Sequence, residues 1–439
     1  MHGTLPARRF ACFGRRRGRP ARSSAWPVAC GCAALLSWAT GAPAAVPGRN
    51  RALPRIGVRD GRFVQRRTNR PFAPVGLNYI RLRPKWHGTF APKRYDAQRA
   101  DAMLAELARG GLNVVRVFID PAAKEGIVEA PHAEGLAKPY LACFLDFLDR
   151  ARRRGVHVIP SLLMLPACKP YNEILGRHRR RFGHGNEMYF DERFVRAKAR
   201  YCADFVAAIK AADPSLLSAV FAYELDNETH FLAHGEPFSR TEGTYVRGGR
   251  TYDLASAEDL QRLADDAVVH WADACVEAIG KVDSDAMVSV NCFTFRAVGR
   301  SGPGALRRDV TKDRRFPARP LALTRSKLSY LDIHFYPFRD ETLAGDLRSI
   351  ELEALSAACT RRKMPLIMGE FGAFKKAYPT LPEACAAMRR HLRRVRKLGF
   401  AGFLYWTYDT DEQPYLWNAR SGKGEILDVL RGEATSGNW

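Results

Sequence analysis

Short apolar runs alternate with longer amphipathic stretches along most of the chain. Eight runs rich in β-branched and aromatic residues are predicted strands, beginning at Phe72, Asn113, His157, Ser218, Ala286, Leu331, Pro365 and Gly402. Between them, apolar residues recur every three to four positions, as in "DAQRADAMLAELARGG", which ends at a glycine pair. Eight such alternations predict a parallel sheet with helical crossovers, and eight strands are the number that closes a barrel.

An open, doubly wound sheet produces the same alternation, but it normally carries a glycine-rich phosphate loop after its first strand. The segment "GLNYIRLRPKWHG" at the end of the first predicted strand is not such a loop. We therefore predict an α/β fold, a single-domain (β/α)8 TIM barrel over residues 46–439.

Two additions to the barrel are predicted. "IGVRDGRFVQ" places an Asp-Gly turn between β-rich runs and predicts an N-terminal hairpin that caps the barrel floor. After the fourth strand, "HGEPFSRTEGTYVRGGRTYDL" is a long insertion with its own Gly-Gly turn. Long loops that follow barrel strands lie on the face where active sites form.

The first 45 residues differ from the rest of the chain. Seven arginines without any acid precede an apolar stretch from Trp26 to Trp38 and a small-residue segment, "ATGAPAA". This order is typical of a signal peptide, here residues 1–45, and the apolar run is short for a bilayer span. We expect a secreted or periplasmic protein without an integral membrane segment after signal removal, with an uncleaved anchor as the alternative.

The formal net charge of +24 is strongly basic, which suits acidic glycans, nucleic acid or anionic lipid. The arginines are spread over predicted helices and loops without interleaved aromatics, however, as on solvated helix faces. We therefore expect no nucleic-acid partner. Seven cysteines follow the leader and have no CxxC or His/Cys spacing, so no metal site is predicted, and any disulfides stay unassigned.

The fourth predicted strand ends in "FAYELDNETHF", where Glu224, Asp226 and Glu228 alternate. In a straight strand all three side chains share one face, at depths set by a rise of about 3.3 Å per residue. Glu228 then reaches the barrel mouth, whereas Glu224 is predicted to be buried and paired with Arg116. A bulge at the strand end would turn Asp226 aside.

The seventh predicted strand ends in "MGEFGAF", which places Glu370 at the same rim. Two carboxylates facing each other across a barrel mouth are what glycoside hydrolysis requires. One donates a proton to the leaving oxygen, and the other attacks the sugar or activates water.

These motifs resemble those of clan A glycoside hydrolases, most closely family 5, the cellulase and β-mannanase family. "DNE" resembles the strand-four motif and implies Glu228 as general acid/base, with Asn227 as partner of the sugar 2-hydroxyl. "GEFG" implies Glu370 as nucleophile. Further similarities in "VVRVFI", "HFYPF" and "YWTYD" imply support or substrate contacts by Arg116, His334, Tyr336 and Trp406.

The resemblance implies a retaining glycoside hydrolase that needs no cofactor and acts on a β-linked polysaccharide or oligosaccharide, β-1,4 mannan or glucan being the expected substrates. Carboxyl groups about 5–5.5 Å apart and a raised pKa of Glu228 would suit this mechanism. A transglycosylase and a non-catalytic glycan-binding envelope protein remain alternatives. Endo or exo action stays open, and a monomer is expected.

The sequence departs from the family pattern at two points. No histidine ends the third strand, since His157 stands at its beginning, and Thr229 follows the Asn-Glu pair where proline is common. These departures leave the identity of the glycan substrate open. Aromatic residues near predicted strand ends are further candidates for stacking on sugar rings; they are Tyr79, Trp86, Tyr171, Phe231, Tyr408 and Trp417.

Overall fold

Eight parallel strands close into a barrel, as the hydrophobic pattern predicts. The structure is a computed structural model that describes residues 53–82, 87–176, 185–337, 340–436 and 439. The described residues belong to one compact unit. The predicted signal peptide lies outside the described residues. In chain order the barrel strands are β3, Val75–Asn78; β4, Val114–Ile119; β5, His157–Leu162; β6, Tyr223–Glu224; β10, Val288–Phe293; β12, Tyr330–Phe335; β13, Leu366–Phe371; and β15, Phe403–Tyr405.

The remaining strands form small antiparallel pairs outside the barrel. They are β1, Ile56–Arg59; β2, Arg62–Gln65; β7, His230–Leu232; β8, Thr244–Arg247; β9, Arg250–Asp253; β11, Arg315–Pro317; β14, Ala373–Phe374; and β16, Leu416–Trp417.

Helices connect the strands and pack around the barrel. They are α1, Ala97–Arg109; α2, Lys138–Arg154; α3, Lys169–Leu175; α4, Glu187–Phe190; α5, Glu192–Ala212; α6, Ala257–Val282; α7, Pro320–Leu323; α8, Asp340–Ser349; α9, Leu352–Arg362; α10, Leu381–Lys397; and α11, Glu425–Thr435. Local capping fixes several of their starts: the Asp96 side chain accepts from Arg99 N before α1, and Thr380 with Glu383 forms a capping box at α10.

The predicted N-terminal hairpin is confirmed. β1 and β2 pair around Asp60 and Gly61. Ile56 and Phe63 of this hairpin pack in a small apolar cluster with Val114 and Tyr330, residues at the amino ends of barrel strands. The hairpin therefore covers the barrel floor, leaving the opposite face open for the βα loops.

The predicted insertion after the fourth barrel strand is also confirmed. β8 and β9 pair as a hairpin around Gly248 and Gly249. In the same region β7, which follows the end of the fourth barrel strand, pairs antiparallel with β11 from the loop after β10. This second pairing brings residues around position 315 close to the carboxyl end of β6.

Glycine is required at position 369, in the middle of β13. A Cβ at this position would lie 1.8 Å from the carboxylate oxygen Oδ2 of Asp332 on β12. The Gly369 amide instead donates to Asp332 Oδ1 at 2.5 Å. This close approach fixes the register of the two strands just below Glu370.

The seven cysteines at positions 143, 168, 202, 275, 292, 359 and 385 are free thiols, most of them buried. A buried thiol behaves as a small apolar group. Of the helices in the described part of the chain, none is long and apolar enough to cross a membrane.

Candidate active site

Glu228 and Glu370 meet at the carboxyl-terminal end of the barrel. Glu370 lies near the end of β13, and Glu228 follows the short strand β6 by four residues. A carboxylate oxygen of each and a ring nitrogen of His334 all lie within 4.8 Å of one another. The structure therefore brings the two glutamates predicted from the sequence into one site.

Arg116 is fully buried in the barrel and organises the residues below and beside Glu370. Its Nη1 donates to Glu370 Oε1 at 2.5 Å and to Asn78 Oδ1 at 3.0 Å. Its Nε donates to Glu224 Oε2 at 2.5 Å, and Nη2 donates to Asn227 Oδ1 at 2.8 Å. Burial alone would lower the pKa of Arg116, but the two carboxylates raise it above its ordinary value. The predicted pairing of Arg116 with Glu224 is confirmed.

Tyr336 and His334 contact Glu370 from the sixth barrel strand and the loop that follows it. The Tyr336 hydroxyl donates to Glu370 Oε2. Burial, with the negative charges of Glu370 and Glu228, raises the pKa of Tyr336 well above its ordinary value, so the phenol keeps its proton. Glu370 thus has a guanidinium on one oxygen and a phenol on the other.

His334 lies between the two glutamates. Its Nδ1 is 3.5 Å from Glu228 Oε1 and 3.6 Å from Glu370 Oε2. Burial lowers the pKa of the imidazole, yet the charge of Glu370 and the contact with Glu228 outweigh burial and leave that pKa raised. A proton on this ring is therefore attracted by both carboxylates.

The backbone turns sharply at Glu228, which has a φ of 49°. Its amide donates to the side chain of Asn291 on β10, and its carbonyl oxygen accepts from His230 Nδ1 at 2.6 Å. Its carboxylate Oε2 accepts from Arg315 Nη1 at 3.1 Å. The left-handed residue is thus held on both sides of its peptide, which directs the side chain toward Glu370.

The expectation of a raised pKa for Glu228 is wrong for this structure. Burial would raise the pKa of the carboxyl, but the proximity and charge of His334, followed by the charges of Arg315 and His230, leave it below its ordinary value. Each of these groups favours the ionised form. Glu228 is therefore a carboxylate in the free protein at neutral pH.

Beneath the mouth, two further acids share a buried space. Glu224 Oε1 and Asp332 Oδ2 have no hydrogen-bond partner among the described residues, and both side chains are fully buried. Burial raises the pKa of Asp332 well above its usual range, and the neighbouring Glu224 adds to this shift. A neutral Asp332 leaves Arg116 to balance Glu224 and Glu370.

Asp226 points away from the two glutamates, as predicted. The strand β6 ends at Glu224, and the Asp226 side chain accepts from the Asn227 amide at 2.9 Å. Burial raises its pKa, opposed by the charge of Lys198 on α5, whose ammonium binds the carbonyls of Leu162 and Leu163. Asp226 therefore faces the helical layer instead of the mouth.

An apolar wall lies beside the glutamates. Trp406, at the end of the eighth barrel strand, packs edge-on against Phe118 with ring centroids 5.7 Å apart. Its indole donates to Gln413 Oε1 at 2.7 Å. The His87 ring stacks on the same Phe118 ring, with centroids 5.3 Å apart. Burial and the charge of Arg116 lower the pKa of His87 to about 4. His87 is therefore neutral at physiological pH.

The cluster of Glu228, His334 and Glu370 also has the spacing of metal ligands. Arg116 and Arg315, however, donate to oxygens of the two carboxylates. A cation at this point would face two guanidinium groups, which oppose it electrostatically. These side chains therefore suit two carboxylates that accept hydrogen bonds from arginines better than they suit a metal centre.

Most of the aromatic residues named as stacking candidates belong to the core. Tyr79, Tyr171, Phe231 and Tyr408 are at most 8% exposed and pack in the main apolar cluster. Trp417 is half-buried, and its indole donates to Tyr378 O at 2.8 Å. Trp86 lies outside the described residues. The position of an aromatic residue near a strand end therefore did not distinguish a core residue from an exposed ring on which a sugar could stack.

Several residues of the site were missed by the sequence reasoning. Asn78, Asn291 and Asp332 are polar residues inside otherwise apolar strands, and this is the signal that could have found them. Arg315 begins the three-residue strand β11 and His87 lies in a turn, and the hydrophobic pattern carries no comparable signal at either position.

Comparison with known proteins identifies the fold of this chain. No model of a known family matches the chain, and no curated protein matches it. The endo-1,4-β-mannanase from Rhizomucor miehei has a similar structure, with a TM-score of 0.58 at 14% identity over 87% of this chain and 98% of that one. An exo-β-1,4-mannosidase from Opitutaceae bacterium strain TAV5 gives 0.55 at 18% identity, covering 85% of this chain and 61% of that one.

A glycoside hydrolase family 5 mannosidase from Rhizomucor miehei is also similar, with a TM-score of 0.53 at 12% identity over 88% of this chain and 98% of that one. At these identities the similarity establishes architecture. The chain has the (β/α)8 fold that these glycosidases share.

Proposed function

We propose that this protein is a retaining glycoside hydrolase that cleaves β-linked glycans, with Glu370 as nucleophile and Glu228 as general acid/base. The observation that carries the proposal is the approach of the two carboxylates to within 4.8 Å at the barrel mouth. This spacing agrees with the separation of about 5–5.5 Å in retaining enzymes and is shorter than the roughly 6.5–9.5 Å of inverting ones. The similar folds of mannanases and mannosidases support a β-1,4-linked mannan or glucan as substrate.

In the first step, a Glu370 oxygen bonds to the anomeric carbon as the glycosidic carbon–oxygen bond breaks. The Glu228 carboxyl gives its proton to the departing oxygen. In the second step, Glu228, now a carboxylate, takes a proton from water, whose oxygen displaces Glu370 from the anomeric carbon. Each displacement inverts the anomeric carbon, so the two displacements together retain its configuration.

The neighbours of Glu370 fit a nucleophile. Arg116 and Tyr336 each donate a hydrogen bond to one of its oxygens, which fixes the orientation of the carboxylate. Asn227 offers its amide nitrogen to a sugar hydroxyl, because its oxygen already accepts from Arg116. Trp406 provides the apolar face on which we propose the cleaved sugar packs.

The lowered pKa of Glu228 has a consequence for this mechanism. The first step uses its protonated form, which is scarce in the free protein at neutral pH. We therefore propose that the enzyme works best under acidic conditions, and that it acts after export, as a secreted or periplasmic monomer. The leader-like residues 1–45 support export.

A substrate screen tests the proposal. Reducing-sugar release is measured on mannan, glucomannan, carboxymethyl cellulose and laminarin, together with aryl β-glycosides. We expect hydrolysis of at least one substrate, loss of nearly all activity in Glu370→Gln, and partial rescue of Glu370→Ala by azide, which replaces the missing nucleophile. Glu277→Gln is the matched control, because Glu277 is an exposed glutamate that pairs with Lys327.

The products separate the possible outcomes. NMR of the first product should show the β-anomer before mutarotation, and transfer products at high substrate concentration would identify a transglycosylase. Activity that persists in Glu370→Gln would contradict the residue assignment. Glycan binding without hydrolysis of any substrate would favour a non-catalytic barrel.

A further inference from the structure

Arg315 is a cation in the site that the mechanism above does not use. It begins β11, whose pairing with β7 brings it next to the loop that carries Glu228. Its Nη1 donates to Glu228 Oε2 at 3.1 Å, while His334 contacts the other oxygen, Oε1. The guanidinium therefore lies on the side of Glu228 turned away from His334.

The position of Arg315 relative to a substrate follows from this geometry. Glu370 must face the anomeric carbon, and Glu228 must face the oxygen of the leaving group. Because His334 also contacts Glu370, the Glu228 oxygen near His334 lies on the Glu370 side of the carboxylate, where the anomeric carbon would be. Arg315, on the opposite oxygen, is consequently on the leaving-group side.

The guanidinium is held rigidly while part of it stays open to solvent. Its Nε and Nη2 donate to the two oxygens of Asp313 at 3.1 and 2.9 Å, and its carbon lies 4.7 Å from the centroid of the Phe293 ring. The side chain is 36% exposed. An arginine has five N–H groups, and these contacts employ three of them, which leaves donors on Nη1 and Nη2 for another acceptor.

A cation fixed by a carboxylate and an aromatic face suits a planar anion. Arginine binds carboxylates through parallel N–H donors, and a preoriented guanidinium loses little side-chain freedom on binding. Without the seven arginines of residues 1–45 the formal net charge is still about +17, which favours approach of an anionic glycan over a neutral one. His230, which begins the paired strand β7, adds a second basic side chain on this side of Glu228.

We propose that Arg315 forms an anion subsite on the leaving-group side, and that the natural substrate carries a carboxylate there, as in a glycan with a uronic acid next to the cleaved bond. This inference rests on the proposed hydrolase function and narrows its substrate class. Asp313 and Phe293 position the guanidinium, and the substrate carboxylate competes with Glu228 for its donors.

The competition links binding to the acid step. When the substrate carboxylate takes Arg315, Glu228 loses one of the positive charges that favour its ionised form. The Glu228 carboxylate then takes up a proton from solvent more readily and can deliver it to the leaving oxygen. An anionic substrate would thus be both bound and processed through the same arginine.

The test uses matched pairs of substrates. Aryl β-mannobiosides and β-cellobiosides are prepared with a 3-carboxyphenyl or a neutral 3-carbamoylphenyl leaving group, and kcat/KM is measured for each. The ratio of the two values is compared between the unmodified protein, Arg315→Gln and Arg314→Gln. Arg314 is the control because it is the adjacent exposed arginine, so its loss removes the same charge. Comparing ratios cancels the intrinsic difference between the leaving groups.

We expect the preference for the carboxylate to be about fivefold greater in the unmodified protein and in Arg314→Gln than in Arg315→Gln. The preference should shrink as salt rises, because the pair is partly exposed. An equal ratio in all three proteins would overturn the proposal.

Binding of the corresponding thioglycosides, which resist hydrolysis, separates this inference from the proposed function. Calorimetry should give about fivefold tighter binding of the carboxylate compound, lost in Arg315→Gln. Tighter binding of the carboxylate compound without cleavage of any O-glycoside would support the anion subsite and contradict the proposed hydrolase function. Cleavage of the neutral compounds with no preference for the carboxylate would support the hydrolase function and contradict the anion subsite.

Discussion

Arg116 Nη1 lies 2.5 Å from Glu370 Oε1, and both side chains are buried. The same guanidinium lies 2.5 Å from Glu224 Oε2, which is inaccessible to solvent. One cation therefore serves two carboxylates of different depth, one at the barrel mouth and one beneath it. Removing such a cation leaves both acids without their main partner in a region of low dielectric constant.

The first prediction concerns the stability that this arrangement provides. Arg116→Met should lower the free energy of unfolding by about 3–5 kcal/mol, because buried charges lose their partner. Urea denaturation followed by circular dichroism measures the change. The control Arg200→Met removes an exposed arginine that pairs with Asp204, and it should lower stability by about 1 kcal/mol or less.

A double substitution distinguishes charge from packing. Glu224→Gln removes one of the two acids, so Arg116→Met combined with Glu224→Gln should be less destabilising than the sum of the single changes. Strict additivity in this cycle would mean that the loss in Arg116→Met comes from its packing against Phe118, whose ring centroid lies 4.4 Å from the guanidinium carbon.

The sequence predicts the barrel well because strand and helix periodicity are properties of local segments. It also predicts the depth order of Glu224 and Glu228, since the alternation of a strand fixes which residues share a face. Glu370 follows from the same reasoning on β13. The backbone departs from this simple picture after Glu224, where β6 ends and Glu228 adopts a positive φ.

Contacts between distant loops could not be predicted in the same way. Arg315 reaches Glu228 only because β11 pairs with β7, two three-residue strands separated by more than eighty residues. No periodic pattern marks such a pairing. The pKa of Glu228 depends on that contact and on His334, so the raised pKa expected from the mechanism has the wrong direction.

The second prediction concerns Tyr336. Tyr336→Phe removes the donor to Glu370 Oε2 while keeping the ring, so kcat should fall about 10- to 100-fold because a hydrogen bond to a charged group is lost. Steady-state kinetics on the best substrate of the screen measures this fall, and circular dichroism checks the fold. Tyr378→Phe is the control, since that hydroxyl donates to the carbonyl of Pro337 at 3.2 Å. Comparable losses in both variants would argue against a specific role for the contact with Glu370.

The third prediction concerns the proton on Asp332. Its raised pKa means that the folded protein keeps this carboxyl neutral at pH values where the unfolded chain, with a pKa near 3.8, ionises it. The neutral carboxyl therefore favours folding at low pH, and this contribution is lost as pH rises. Asp332→Asn removes the titration and retains an oxygen that can accept from Gly369 N.

We expect Asp332→Asn to be as stable as the unmodified protein or more stable at pH 7, with an advantage that shrinks toward pH 4. Urea denaturation across this pH range provides the measurement. Asp283→Asn serves as the comparison. Asp283 forms an ion pair with Arg55, so removing its charge should lower the stability of the protein. A clear loss of stability in Asp332→Asn at pH 7 would mean that Asp332 is ionised in the folded state.

The fourth prediction concerns the pH dependence of the acid step. Because kcat/KM for a retaining hydrolase reports the first step, it should fall as pH rises through the pKa of Glu228 in the free protein. Glu228 faces Arg315, His230, His334, Tyr336 and Glu370, and the cationic groups hold its pKa below the ordinary 4.5. Arg315→Gln removes one positive charge, so the pKa of Glu228 rises.

The alkaline limb of the profile for a neutral aryl glycoside should consequently move to higher pH in Arg315→Gln, by about half a unit. Arg314→Gln should keep the original limb, because Arg314 is exposed to solvent. A shift to lower pH in Arg315→Gln would contradict the assignment of Glu228 as the acid, since losing a cation cannot favour the ionised carboxylate. An unmoved limb would mean that solvent screens Arg315 from Glu228, and that the contact at 3.1 Å does not set the protonation of the acid.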